Sequence, residues 1–224
     1  MNLDFKKIIA SLSLWRPISY SEDDLKFSLA WTIKKEYDDL EVRLEKRMKN
    51  EDNKRGEYID MFLKDHKGER IGIEFKYFTA KLNCFYQDEE YSLTKHSANI
   101  LRSYDCWKDV SRLERFAAKD EIDFGYTFWL TNDKSYWNEH KQNTKSGYDQ
   151  FKIYENRQAS GELKWNDGMG ENTVKGRGGV SLKNTYTVRW DDYSNLEKCI
   201  YSNRSKHNIF RYVLLEVPPD RLSK

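Results

Sequence analysis

Three charged residues interrupt two apolar segments of the stretch "EYIDMFLKDHKGERIGIEFKYF", residues 57–78. Asp60 lies between two apolar residues, and Glu74 and Lys76 flank Phe75. An isolated buried carboxylate is costly, so such groups normally have a cation, a hydrogen-bonding partner or a metal ion nearby. The groups that compensate these three charges therefore indicate what the site does.

The same stretch predicts two antiparallel strands, because Gly68 in "KDHKGE" permits a turn between them. Side chains alternate along a strand, so Glu74 and Lys76 share one face of the later strand, and strand pairing brings Asp60 beside Glu74. In proteins Mg²⁺ often uses only one or two carboxylates, several waters and a substrate phosphate. The spacing therefore predicts a site for Mg²⁺, for which Mn²⁺ is expected to substitute.

A divalent ion at these carboxylates would offset their repulsion, polarise a phosphodiester and lower the pKa of a coordinated water. Lys76 could orient or deprotonate that water, or neutralise charge that builds on the phosphorane. This chemistry is phosphodiester hydrolysis. The alternative is a structural salt-bridge cluster between adjacent strands, although buried ion pairs contribute little net stability.

The elements around this stretch predict an α/β fold. Helical spacing of apolar residues predicts a first helix near 22–37, with Ser21 as its N-cap, and "DLEVRLEKR" has the alternation of a half-buried strand. A second helix is expected within "SANILRSYDCWKDVSRLERFAAKD", with Ser97 or Asn99 as its cap. The aromatic segment "IDFGYTFWLTND" predicts a further core strand. The order is then helix, three-strand meander, helix, strand.

We expect a single domain that spans residues 1–224, with its core at about 21–133. The remaining segments are expected to add to this core. An insertion over about 134–185 contains a hairpin in "YDQFKIYENRQASGELKWND" and a glycine-rich loop in "GMGENTVKGRGG". The segments "NTYTVRW" and "NIFRYVLLEV" predict C-terminal strands at about 185–217.

Composition narrows the class of protein. Charged residues make up 34% of the chain, but 15% aromatic residues indicate a folded protein. No apolar run approaches the roughly 20 residues that span a bilayer, and the opening residues lack the features of a signal peptide, so we expect no membrane partner and a cytoplasmic location. Cys84, Cys106 and Cys199 have no paired spacing, which argues against a disulfide framework or a zinc site. A net charge of +2 does not decide for or against nucleic acid.

Asp60, a gap of thirteen residues and then Glu74-Phe75-Lys76, within that order of elements, resemble the restriction-endonuclease-like PD-(D/E)xK nuclease superfamily. The resemblance covers roughly residues 21–133. It implies a restriction-endonuclease-like α/β core and metal-dependent cleavage of DNA, with Mg²⁺ and without a small-molecule cofactor. The chain departs from the motif at Ile59, where the name-giving proline is absent.

The resemblance also implies roles for individual residues. Asp60 and Glu74 match the metal-binding acids, the Phe75 carbonyl is an expected further ligand, and Lys76 matches the catalytic lysine. Relatives often carry another acid on the first helix, for which Glu22 is the better candidate. Glu36 is the alternative.

Two sets of basic residues are candidates for phosphate contacts. Arg102 and Arg112 recur at helical steps with two aspartates on the second helix, where they could line the edge of the site. Their alternative is an ion-pair ladder on a solvated face. Lys175 and Arg177 lie in the glycine-rich loop and could clamp a backbone phosphate, although such loops are usually solvated.

We therefore expect a metal-dependent endonuclease that acts on DNA. The alternative from a different class is a non-catalytic nucleic-acid-binding or protein-interaction module that retains the nuclease fold. A homodimer is allowed for, and restriction, phage defence, repair and recombination all stay open as pathways.

Overall fold

The computed structural model describes residues 3–48, 56–139, 146–196, 200–201 and 207–219, so Cys199 lies outside the described residues. The helices of this part of the chain are α1 (Phe5–Trp15), α2 (Glu22–Glu36), α3 (Asn99–Ala118) and the short α4 (Glu171–Val174), with a 3₁₀ turn at Asp149–Phe151. The strands are β1 (Glu41–Met48), β2 (Glu57–Lys64), β3 (Arg70–Phe78), β4 (Leu82–Tyr86), β5 (Glu89–Leu93), β6 (Phe124–Thr131), β7 (Gln158–Leu163), β8 (Val180–Thr187), β9 (Asp191–Asn195), β10 (Ile200–Tyr201) and β11 (Ile209–Val217).

A mixed six-stranded sheet in the order β1-β2-β3-β6-β11-β9 organises the fold. β1, β2 and β3 form an antiparallel meander, whereas β3 and β6 pair in parallel. Parallel neighbours need a crossover connection, and α3 lies in the segment that provides it. The α/β class predicted from the sequence is confirmed at this level.

Helices cover both faces of the sheet and create two cores. Leu25, Leu29 and Ile33 of α2 pack with Ile73 and Phe75 of β3 on the first face, where α1 also lies. On the second face α3 packs against β6 and β11 through buried residues that include Trp107, Val110, Leu113, Trp129 and Val213. No helix in the described part of the chain is long and apolar enough to cross a membrane.

The alternation of β2 breaks at Asp60. Ile59 belongs to the core under α3, whereas Met61, two residues later, belongs to the core under α2. In a regular strand these two side chains would share a face. Glu45 of β1 lies opposite this break and has a positive φ of 49°. Both strands therefore change face in the row that contains Asp60.

Several predicted elements need correction. The sequence reading missed α1 and the β4–β5 pair, which lie before and within the predicted core. It also proposed Ser97 or Asn99 as the cap of α3, but the N-cap is Ala98 in a left-handed conformation, without a side-chain cap. The Asn99 amide instead donates to Ser135 Oγ, and the Ser97 carbonyl accepts from Arg102.

The predicted local hairpin at 148–167 is wrong, because β7 pairs with β8 across the intervening segment. Glu114 of α3 fixes this two-stranded sheet. Its buried carboxylate accepts from the Lys183 and Asn184 amides at 2.8 and 2.9 Å, from the Asn184 side chain at 2.9 Å and from the Tyr186 hydroxyl at 2.8 Å. A buried carboxylate on α3 thus holds β8 in place.

Candidate active site

The pairing of β2 with β3 ends at Ile73. Further along β3, two backbone amides donate to carboxylates: the Phe75 amide to Asp60 Oδ2 at 2.8 Å and the Tyr77 amide to Glu22 Oε2 at 2.9 Å. Backbone donors must be satisfied, and here acids replace the missing strand. The structure therefore brings Asp60 and Glu22 to the same segment of β3 that carries the other candidate residues.

Glu74 points to the opposite side, toward α3, and is fully buried. Its Oε2 forms an ion pair with Arg112, whose Nη2 also lies 3.0 Å from Asp109 Oδ1. Burial raises the pKa of Glu74 well above its ordinary value; Arg112 opposes this change, whereas the charges of Asp109 and Asp60 add to it. Glu74 is therefore a carboxylate whose charge is only partly compensated by its neighbours.

Lys76 interacts with acids of both α2 and α3. Its Nζ is 2.5 Å from Asp109 Oδ2 and donates to the Phe75 carbonyl at 2.9 Å. Burial lowers the pKa of Lys76, but the negative charges of Asp109 and Glu22 outweigh that effect, and the net pKa is raised. Lys76 is therefore held as an ammonium.

Burial also raises the pKa of Glu22, against the effects of the Lys76 charge and the Tyr77 amide. This acid lies at the start of α2, where it is stabilised by the helix dipole. The sequence alternative Glu36 is the last residue of α2, about 21 Å along the helix at 1.5 Å per residue. Glu36 lines a groove between α1 and α2 instead, so of the two alternatives the structure brings only Glu22 to β3.

Lys26 completes the site on the α2 side and was missed in the sequence. Its buried Nζ lies 2.9 Å from Asp23, 2.6 Å from Glu45 and 3.6 Å from Asp60 Oδ1. The signal that would have found it is its position four residues after Glu22, which places both side chains on one face of α2. Lys26 and the Phe75 amide thus hold one oxygen each of the Asp60 carboxylate.

The predicted ladder of α3, which consists of Arg102, Asp105, Asp109 and Arg112, does not lie on one solvated face. Asp109 is buried and pairs with Lys76 and Arg112, so the solvated-face alternative is wrong at these positions. Arg102 lies apart from them: its guanidinium is 5.7 Å from the centre of the Phe78 ring, and its Nε donates to the Ser97 carbonyl. Of the predicted ladder, Asp109 and Arg112 therefore contact Lys76 and Glu74, whereas Arg102 does not.

Arg177 of the glycine-rich loop lies near Asp105 of α3. Burial raises the pKa of Asp105, and the charges of Lys76 and, more weakly, Arg177 oppose that change. Arg177 Nη1 also donates to the Thr173 carbonyl at 3.0 Å. Lys175 is exposed on the same loop. Arg177 therefore lies within electrostatic reach of α3, on the outer side of the site.

Two carboxylates and one carbonyl of β2 and β3 are of the type that Mg²⁺ prefers. They are the carboxylates of Asp60 and Glu74 and the Phe75 carbonyl, and the buried Glu74 Oε1 has no hydrogen-bond partner in the structure. Among the described residues, no group of three or more His, Cys, Asp or Glu side chains is arranged to hold a metal ion. Mg²⁺ commonly uses only one or two carboxylates, so the two acids and the carbonyl suffice as a donor set.

No protein-family model, curated protein or solved structure matches the chain. What the site can do therefore follows from its own residues. These are carboxylate and carbonyl oxygens beside the half-buried Lys76 ammonium and the Arg112 guanidinium.

Proposed function

We propose that this protein is a metal-dependent nuclease that hydrolyses phosphodiester bonds in DNA. The observation that carries the proposal is the concentration of four candidate groups on residues 74–77 of β3. Glu74 and Lys76 belong to that segment, and its amides at residues 75 and 77 hold the carboxylates of Asp60 and Glu22. Such an arrangement suits a charged substrate better than it suits stability, because buried acids are costly.

The resemblance to the PD-(D/E)xK nuclease superfamily supports the same reading. The meander β1–β3, the crossover through α3 and the parallel strand β6 follow the order of elements expected with that resemblance. The choice of DNA rather than RNA rests on the resemblance alone. So do the roles of restriction, phage defence, repair or recombination.

In this proposal Asp60, Glu74 and the Phe75 carbonyl are the groups that would hold a divalent ion. The bound ion would polarise the phosphodiester and activate a water molecule. Lys76 stabilises the negative charge that develops on the phosphorane, since its raised pKa keeps it protonated and unable to accept a proton. Glu22 is the better proton acceptor, because burial raises its pKa.

Arg112 has a second role in this proposal. Its guanidinium pairs with both Glu74 and Asp109. A guanidinium also recognises phosphate oxygens, so Arg112 would be able to contact a substrate phosphate beside Glu74.

One observation favours the alternative of a non-catalytic module. Lys76 and Arg112 both pair with Asp109, and Arg112 also pairs with Glu74, so cations and acids already compensate one another in part. A retained fold that binds nucleic acid or protein without cutting would keep such a network for structure.

A cleavage assay with plasmid, linear duplex and single-stranded DNA and with RNA tests the proposal. We expect cutting in Mg²⁺ or Mn²⁺, none after chelation, and none by the Asp60→Asn protein, whose metal affinity should fall in a calorimetric titration. Lys6→Ala is a suitable control, because Lys6 is exposed on α1 and pairs with Asp191. DNA binding without hydrolysis in either metal would favour the non-catalytic module.

A further inference from the structure

A cavity of about 290 Å³ opens beside the N-terminal end of α3. Three tyrosines and two asparagines contribute to its lining, namely Tyr136, Tyr148, Tyr154, Asn99 and Asn138. The described lining residues also include serines and one lysine but no acid. The cavity is thus rich in aromatic rings and in neutral groups that donate and accept hydrogen bonds.

The chemistry of this lining suits a nucleobase. Asparagine side chains make paired hydrogen bonds with base edges, and aromatic rings stack on base faces. The volume lies at the lower end of the range for ligand pockets, which fits one base or nucleoside rather than a larger ligand. Enzymes that take a nucleotide out of its stack receive the base in a pocket of this kind.

Tyr136 supplies a second observation. Its side chain is 5% exposed, and its hydroxyl has no hydrogen-bond partner in the structure. Buried hydroxyl groups are normally paired, so an unpaired one needs an explanation. A ligand that offers both donors and acceptors is one explanation.

The cavity is connected to the candidate active site through β3. The Tyr136 ring stacks on Phe78, with ring centres 4.8 Å apart. Phe78 follows Lys76 by two residues on the same face of the strand, a rise of about 7 Å. Arg102 lies over the same Phe78 ring. A strand whose phosphate lies at Lys76 therefore has its neighbouring nucleotide within reach of the cavity.

Lys152 brings an ammonium group, paired with Asp149, to the cavity. Its Nζ lies 2.6 Å from Asp149 and 5.4 Å from the centre of the Tyr148 ring. An ammonium in this position suits the sugar-phosphate end of a nucleotide.

We propose that this cavity binds a single unstacked nucleobase of the strand that lies across Lys76. The proposal rests on the function proposed above, and it adds that the substrate must present a base outside the helical stack. Single-stranded, mismatched or distorted DNA meets that condition at lower cost than a regular duplex.

Binding of nucleosides at millimolar concentration, followed by NMR, tests the cavity without any cleavage. We expect saturable shifts at the lining residues for at least one base. Tyr136→Phe should weaken binding about 3- to 10-fold, which corresponds to one hydrogen bond. Asn138→Trp, at an exposed lining position, should abolish binding by filling the cavity. Tyr37→Phe, on the far end of α2, is the matched control.

DNA that carries the fluorescent base 2-aminopurine tests the placement of the base in the cavity. In Ca²⁺ we expect fluorescence to rise at one position when the protein binds, and Asn138→Trp should remove that rise. Cutting without fluorescence change and without nucleoside binding would overturn the cavity proposal and leave the nuclease standing. The protein could also bind nucleosides and cut DNA without any change in 2-aminopurine fluorescence. That result would overturn the placement of a base of the DNA strand in the cavity. Absence of any nucleic-acid cleavage would reject the nuclease, and the nucleoside titration would then decide the cavity by itself.

Discussion

At the scale of single residues, Lys76 is the group whose removal should separate chemistry from folding. Lys76→Ala removes the ammonium but leaves Asp60, Glu74 and the Phe75 carbonyl, so metal and DNA binding should persist. Loss of one preorganised electrostatic contact lowers rates by about 100- to 1000-fold. Plasmid cleavage measures the effect, with circular dichroism and metal titration as controls. Equal rates for the wild-type and the folded variant would contradict the role of Lys76.

Glu74 should make stability depend on pH, because burial raises its pKa. The pKa of an unfolded glutamate is about 4.3. When folding raises the pKa of such a carboxyl group, its contribution to stability is complete below that value. The contribution is lost as pH rises through the folded pKa. Glu74→Gln cannot ionise, so it should gain stability relative to the wild type by about 1.4 kcal/mol for each pH unit in that window. Urea unfolding at several pH values measures the difference.

Mg²⁺ provides the control for Glu74. The ion should raise the unfolding temperature of the wild type above neutral pH but have little effect on Glu74→Gln, since a ligand stabilises only the state that binds it. A constant stability difference between the two proteins at all pH values would contradict the raised pKa of Glu74.

At the scale of elements, His96 connects the segment before α3 to the end of β3. Its Nδ1 accepts from the Thr79 amide at 3.2 Å, and its own amide donates to the Thr79 carbonyl at 2.8 Å. Burial, and then the charge of Arg102, lowers the pKa of His96 below 6.5. The neutral ring therefore contributes stability above pH 6.5 that is lost as pH falls through the folded pKa.

Replacement of His96 by Gln tests this connection. The amide oxygen of Gln can accept from Thr79 but does not titrate, so unfolding free energy should change less between pH 7 and pH 5 than in the wild type. Chemical denaturation at each pH gives the comparison. Parallel pH profiles for the two proteins would exclude His96 as the titrating group.

The contact between α3 and the β7–β8 sheet should depend on Glu114. Glu114→Ala leaves four donors without their acceptor, among them the buried Tyr186 hydroxyl, and we expect a loss of about 3–5 kcal/mol. Urea unfolding measures it, and Glu171→Ala on the exposed face of α4 serves as the control. A loss below about 1 kcal/mol would mean that β8 is held by its apolar contacts instead.

At the scale of the whole molecule, the proposed nuclease should bind the DNA backbone with a strong dependence on salt. Release of counterions makes affinity fall with rising salt concentration, with a slope near −0.9 for each phosphate neutralised. In Ca²⁺, Arg177→Gln should reduce the slope by about one such unit if its loop contacts phosphate. Fluorescence anisotropy across a salt series measures it. Absence of binding at low salt to duplex, single-stranded and branched DNA would favour a protein-interaction module.

The sequence predicted the part of the fold whose contacts are local. The meander β1–β3 and the helices α2 and α3 follow from alternation, helical periodicity and one turn at Gly68. The β7–β8 pair could not be found in this way, because its strands are separated by a long segment and their pairing depends on Glu114 of a distant helix. Helix α1 does carry apolar residues at helical spacing, so its omission was a missed signal.

The candidate site likewise has features that the sequence predicts and features that depend on tertiary packing. The spacing of Asp60, Glu74 and Lys76 predicts their common location on β2 and β3, but not their orientations. The pairing of β2 with β3 ends at Ile73, so Asp60 accepts from the Phe75 amide while Glu74 pairs with Arg112 of α3. The burial of Lys26 and the pairing of Arg112 with Glu74 depend on how helices pack on both faces of the sheet. Helical spacing places Lys26 on the same face as Glu22, but the partners of Lys26 and Arg112 follow only from tertiary packing.

The end of pairing at Ile73 gives the site an unusual tolerance to mutation. The donors that orient Asp60 and Glu22 are backbone amides of residues 75 and 77, and every amino acid except proline supplies such a donor. Side chains at these two positions can therefore change with the surrounding core while both carboxylates keep their anchors. Sequence drift at Phe75 would leave the anchor of Asp60 intact, whereas Tyr77 also donates its hydroxyl to the Ser19 carbonyl before α2 at 2.7 Å.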